Sequence, residues 1–176
     1  MLRRHPTPAL AVALSLLAAV VYSNALPGSF HFDDSHSIEN NPAIRSLSNA
    51  PRFFTDATTF SVLPQNQTYR PLLSLTYALN ADLFGVRAGP FVALNLLLHA
   101  LCAVGVMLAV KRVRPVLGLP SEGPVDWVAV LAAALFAVHP LFSECVSYVS
   151  ARSESLSSGL TLAALLLYLE GREAAG

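Results

Sequence analysis

Between Pro90 and Val110 the chain runs for 21 residues with only Asn95 and His99 interrupting apolar side chains. As a helix rising ~1.5 Å per residue, such a run matches the ~30 Å hydrocarbon core of a bilayer. In lipid the helix is also the conformation that satisfies its own backbone. Lys111-Arg112-Val113-Arg114-Pro115 stops the run, a basic cluster of the kind held on the cytoplasmic side. The rest of the chain is nearly as apolar, with 54% hydrophobic and 12% charged residues and a mean hydropathy of +0.54. That balance excludes an ordinary soluble domain, and a net charge of zero argues against a nucleic-acid partner.

Other apolar runs extend the pattern. Ala9 to Leu26, 18 residues, follows Arg3, Arg4 and His5 and reads as an uncleaved first span. A signal peptide cleaved near Ser23-Asn24-Ala25 is the competing reading, and either one delivers Pro27 onward to the outside. Val125 to Val138 and Leu156 to Leu169 have 14 residues each. At ~21 Å they fall short of the core, so both are expected to extend into the segment His139 to Ser155. That extension places His139, Glu144, Arg152 and Glu154 at the outer interface, turned toward a wet cavity. Leu117 to Pro124 is a turn-rich connection. The expected fold is all-α, a polytopic membrane helical bundle forming one domain over residues 1–176. Its four transmembrane helices cover residues 9–26, 90–110, 125–145 and 152–169, with an outer loop over 27–89. Residues 1–8, 111–126 and 170–176 carry six of the 11 Lys and Arg in 31 positions, against five in the 80 positions of 27–89 and 139–155. This asymmetry predicts a multi-pass protein with both termini cytoplasmic and its working face toward the periplasm, lumen or exterior.

Within the outer loop, Asn40-Asn41-Pro42 and Ser48-Asn49-Ala50-Pro51 each signal a turn opening a short interfacial helix. Tyr69-Arg70-Pro71 opens a longer one, where Leu72, Leu75, Leu79 and Leu83 recur at helical spacing as the face for the membrane or the bundle. Cys102 and Cys145 are too few for a disulfide framework and read as packing residues.

Candidate chemistry begins at Phe30-His31-Phe32-Asp33-Asp34, beside the first span's exit. Adjacent carboxylates with His31 and His36 nearby suit general-base work; a solvated turn or helix cap and a divalent-metal site fit the same residues. Neither carboxylate is expected in the apolar core. Arg70 is placed either to clamp a phosphate or to anchor at the interface beside Tyr69. His139, Glu144, Arg152 and Glu154 form a second polar cluster, readable equally as helix-end ion pairs. Asn95 and His99 read as interhelical hydrogen-bonding groups. Asn66-Gln67-Thr68 is a glycosylation sequon.

These residues stand in an order that resembles a family. Phe32-Asp33-Asp34, Asn41-Pro42, Tyr69-Arg70-Pro71-Leu72, Asn95-Leu96-Leu97-Leu98-His99 and Leu135-Phe136-Ala137-Val138-His139-Pro140, then Glu144, Val149, Arg152 and Glu154, follow the sequence seen in the tetratricopeptide-repeat transmembrane O-mannosyltransferases. Those proteins and their bacterial relatives are type C glycosyltransferases. From about Tyr22 to Tyr168 the chain is similar to their N-terminal part. The resemblance implies a membrane glycosyltransferase moving a sugar, mannose in the family, from a polyprenyl-phosphate donor to an acceptor hydroxyl of protein Ser or Thr. It implies Asp33 and Asp34 as the acidic catalytic motif. Arg70, His139 and Arg152 fall at matching positions, where phosphate contact is the inferred role, and Glu144 and Glu154 join them as candidates for donor-phosphate or substrate binding. Lipid-linked donor, acceptor protein and membrane lipids are the implied partners. Family members have more spans, so the resemblance also implies a fragment, or a partner chain carrying further spans. A non-catalytic membrane scaffold that keeps the fold is the alternative function, and a small transporter lined by Asn95 and His99 is a third.

Overall fold

A computed structural model describes residues 7–119 and 123–175. The basic head at Arg3, Arg4 and His5 and residues 120–122 of the expected connection lie outside the described residues. The chain is all-α, with no strand among the described residues. It divides into two compact units: residues 1–23, 96–143 and 155–176, and residues 24–95 and 144–154.

The first unit holds helix α1 (Thr7–Val21), most of α4 (Ala88–Val116), α5 (Trp127–Val138) and most of α7 (Arg152–Ala175). Its interior is built from small side chains. Leu14 and Met107 pack with Ala129 and Ala133, and Ala18, Ala103 and Ala137 are fully buried. Small residues let helix backbones approach closely, which is how helices associate when their outer surfaces are apolar too. A Cβ on Gly105 would stand 3.1 Å from Leu162 Cδ1, so glycine sets the approach of α4 to α7. The large apolar residues point outward, as Val20, Leu131, Leu135, Leu160 and Leu167 do.

Helix α4 is long and apolar enough to cross a membrane. The basic cluster expected to stop it lies within its last turns, where cations face the helix's partly negative C-terminus. Arg112 donates to the Leu166 carbonyl at 3.4 Å and stands 3.6 Å from Glu170; Arg114 pairs with Asp126. Asp126 also caps α5, accepting from Ala129 N at 3.2 Å. The expected continuation of α5 through His139 does not occur. Pro140 lacks an N–H and forces the residue before it out of the helical region, so His139 is extended (ψ 127°). The chain turns at Pro140–Phe142 before α6 (Ser143–Ser147), and Trp127–Val138 with Pro140–Ser147 counts as a second membrane-long element only as one broken span. Beyond Leu156, α7 does extend as expected, starting at Arg152. His99 bonds across helices, its Nε2 meeting the Ala137 carbonyl at 3.2 Å while its ring stacks on Phe136.

The second unit is loop-rich and its interior is polar as well as apolar. Ile38, Ile44, Phe53, Tyr77 and Phe91 are buried beside Asp34, His36, Asn41, Asn80, Asn95 and Arg152. The Asn41-Pro42 signal opens a 3-10 turn over Ala43–Arg45, and Pro51 sits in the first turn of α2 (Ala50–Phe53). Asn41 ties this region together: its amide donates toward the Ser37, Thr59 and Phe60 carbonyls, and its oxygen accepts from Ala43 N. Helix α3 (Pro71–Phe84) starts on Pro71 and ends at Gly85, whose φ of +70° is a left-handed turn suited to glycine. Its leucine stripe is turned outward, with Leu72, Leu79 and Leu83 exposed. The inward face is instead Leu73, Ser74, Tyr77, Ala78, Asn80 and Ala81, because that face meets an arginine.

Candidate functional site

Asp34 is the anchor of the site. It is fully buried, though among hydrogen-bond donors and not in the apolar core. Its Oδ1 accepts from Ser150 N at 2.8 Å and Ser150 Oγ at 2.6 Å, and its Oδ2 accepts from His31 N at 3.0 Å. Three donors satisfy a buried carboxylate and fix the turn at residues 31–34 to the turn at 149–151. A second tie runs from Asp33 N to the Tyr148 hydroxyl at 3.2 Å. Between these ties Phe32 is held at φ +47°, a left-handed conformation that is costly for a bulky residue. Its ring stands edge-on to Tyr148, with centroids 6.1 Å apart.

The strained turn presents Asp33 outward, its side chain 63% exposed. Behind it the chain makes a π-helical turn, Ser35–Glu39, closed by Asn40 N on the Ser35 carbonyl at 2.9 Å. That turn buries His36, whose Nε2 is 3.3 Å from Asp33 Oδ1.

Asp33 lines a cleft of about 380 Å³, and Arg70, Glu144, Tyr148 and Glu154 line it too. Arg70 lies over the Phe60 ring, 5.4 Å from guanidinium carbon to centroid, which orients the cation without consuming its hydrogen bonds. Partial burial pushes the Tyr148 phenol up from its usual value, the Asp33 N–H opposes this, and the Asp33 charge adds to the rise. The phenol is therefore a neutral hydrogen-bonding group at physiological pH.

Four residues singled out in the sequence thus meet in one cleft: Asp33, Arg70, Glu144 and Glu154. Arg152 does not join them. Instead of facing a wet cavity it is fully buried, with Nε on Asn95 Oδ1 at 2.7 Å, Nη1 on Thr76 Oγ1 at 3.2 Å and Nη2 on Asn80 Oδ1 and the Phe91 carbonyl. The rings of Tyr77 and Phe91 flank it at 5.0 and 5.3 Å. Burial raises the Tyr77 phenol, which the nearby guanidinium only partly offsets. His139 is exposed, belongs to the first unit, and caps the Pro140 turn by accepting from Leu141 N.

Sequence reasoning missed Tyr148 and Ser150, which carried no motif of their own. They matter through bonds to residues more than 110 positions away. Among the described residues no group of three His, Cys, Asp or Glu is arranged to hold a metal ion.

The chain is all-helical, and its polar cleft opens on an acidic turn held by a buried carboxylate. The comparisons name the relatives. The chain is 36% identical to protein O-mannosyl-transferase TMTC1 of Homo sapiens over 164 residues, 90% of this chain and 18% of that protein. It is 33% identical to human protein O-mannosyl-transferase TMTC3 over 90% of this chain and 17% of the relative. Protein O-mannosyl-transferase F38B6.6 of Caenorhabditis elegans is 31% identical over 89% of this chain and 22% of the relative. The chain is TMTC-like. It spans about a fifth of the length of the curated relatives it matches. No protein-family model matches it, and neither does a solved structure.

Proposed function

We propose that this chain carries the acceptor-activating cleft of a membrane mannosyltransferase. The donor is a polyprenyl-phosphate-linked mannose and the acceptor a Ser or Thr hydroxyl of protein. The observation that carries the reading is the pairing of an open and a closed carboxylate. Asp34 is consumed by structural bonds, leaving Asp33, beside His36, exposed at the cleft wall.

In this mechanism Asp33 accepts the proton of the acceptor hydroxyl as its oxygen attacks the anomeric carbon. The bond from that carbon to the phosphate oxygen breaks, and the lipid phosphate leaves. Arg70 sits on the same wall with hydrogen-bond donors available to meet the phosphate. Glu144 and Glu154 complete a mostly acidic rim suited to acceptor amide or cationic groups. Arg152 supports the cleft from behind through Asn95, whose amide also reaches the Val146 and Tyr148 carbonyls.

The cleft faces outward on a four-span, multi-pass scaffold with both ends cytoplasmic, a reading supported by the Lys and Arg distribution and by α4. The exposed leucines of α3 then rest on lipid or on further spans. A cysteine at exposed Ser48 should label from outside and one at Leu117 only after permeabilisation. Equal labelling from outside overturns the orientation.

The test of activity is initial-rate transfer from a mannosyl polyprenyl phosphate to a Ser/Thr peptide by the intact protein in membranes. Asp33→Asn should lower turnover roughly a hundredfold or more without lowering accumulation. Parental turnover in that variant removes Asp33 as the base.

A further inference from the structure

An exposed carboxylate on a turn is ordinarily free to rotate among its rotamers, and a catalytic base must not be. Asp33 is exposed, yet one of its oxygens meets a ring that is itself nearly inaccessible: the His36 side chain is 9% exposed. That ring is fixed from three directions. Its Nδ1 is 2.9 Å from Ser61 Oγ, and Ser61 Oγ accepts from Leu63 N at 2.9 Å. The His36 carbonyl accepts from Val62 N at 3.2 Å, holding the backbone of the same segment. At Nε2 the Asn66 amide stands 2.9 Å away and Asp33 Oδ1 3.3 Å away.

The ring has no freedom to leave this position, so Asp33 is the mobile partner. With the ring proton on Nε2, Nδ1 is the acceptor, and the Ser61 hydroxyl donates to it while accepting from Leu63 N. Nε2 carries one hydrogen or one lone pair and cannot serve an amide N–H and a carboxylate together. With the Asn66 amide turned so that its oxygen faces the ring, a single Nε2–H is shared between Asn66 Oδ1 and Asp33 Oδ1.

We propose that His36 is a positioning residue for Asp33: the buried imidazole, set by Ser61 and Asn66, donates from Nε2 to Asp33 Oδ1 and leaves Oδ2 aimed into the cleft to take the acceptor proton. The assignment rests on Asp33 as base. It also gives Asn66 a role unrelated to glycosylation, since its side-chain amide stands against His36 at the cleft wall.

A positioning role predicts a loss of turnover rather than of binding. His36→Ala should lower kcat about tenfold or more with the KM for the lipid-linked donor unchanged within twofold, and His36→Gln, which keeps a donor near Nε2, should recover most of it. Ser61→Ala, which keeps the ring and removes its anchor, should give a smaller drop in kcat of the same kind. In the Asp33→Asn background, His36→Ala should add nothing. Turnover that falls in Asp33→Asn but not in His36→Ala overturns the positioning role and keeps Asp33 as base. Parental turnover in Asp33→Asn overturns the base itself.

A second measurement needs neither catalysis nor a folded His36→Ala. In the 15N spectrum of the intact protein in micelles, Asp33→Asn should move the His36 Nε2 resonance, and remote Asp56→Asn should leave it in place. An Nε2 resonance unmoved by Asp33→Asn overturns the proposal.

Discussion

The two units solve the problem of burying helices in opposite ways. In the first, alanines pack around Leu14 and Met107, Gly105 sets the approach of α4 to α7 and many large apolar residues look outward, so packing rests on close backbone approach. In the second, the interior holds Asp34, His36, Asn41, Asn80, Asn95 and Arg152, and no buried side-chain nitrogen or oxygen among the described residues lacks a partner. The difference teaches where specificity resides. Alanine contacts are non-directional and tolerate small adjustments. A saturated polar network fixes each group by angle as well as distance, and becomes costly when one member is removed. The cleft is built on the second kind of interior.

Arg152→Ala should therefore have the largest effect. It strands Asn95, Asn80 and the Phe91 carbonyl, each a buried acceptor or amide losing its partner, at about 1–3 kcal/mol apiece. Loss of accumulation, or an unfolding free energy lowered by several kcal/mol, is expected. Arg152→Lys should not restore it, since an ammonium cannot span these acceptors or lie flat between two rings. A stable Arg152→Ala protein would break the contrast drawn above.

Asp34 should separate from its neighbour. Asp34→Ala removes the acceptor of the part-buried His31 and Ser150 N–H groups, about 0.5–1.5 kcal/mol for each bond, and should lower stability and turnover together. Asp33→Asn should lower turnover alone. Unfolding curves measured beside initial rates distinguish the two; identical behaviour of both variants would mean the pair acts as one element.

In the first unit, Ala133→Leu should overpack the contact of α5 with Leu14 and Met107 at about 1–3 kcal/mol, while Leu135→Ala on the outer face should cost far less in detergent. The reverse ranking in thermal unfolding would show that the outward leucines are packed in the working assembly.

The smallest effect is local. The Thr58 hydroxyl and N–H hold the Asp56 carboxyl below its usual 3.8. A lowered folded pKa means this cap's contribution is present above the ordinary carboxylate value and is lost as pH falls through the lowered one. An acid titration of the Thr58 amide should show a midpoint below 3.8 that disappears in Asp56→Asn.

Sequence alone determined the parts governed by local pattern. The apolar run at Pro90–Val110 gave a helix, Pro42, Pro51 and Pro71 opened helical elements, and Asp33, Arg70, Glu144 and Glu154 each stood out as a polar candidate, though not as one set. Spacing and backbone chemistry act within a few residues, so one chain is enough to read them. Tertiary structure alone decided which carboxylate is open. Asp33 and Asp34 are chemically equal neighbours, and only the return of Ser150 and Tyr148 to the turn buries one and exposes the other. It also turned the α3 leucines outward and took Arg152 inside. Both follow from where acceptors for a guanidinium happen to converge in space, and no periodicity in the chain encodes that.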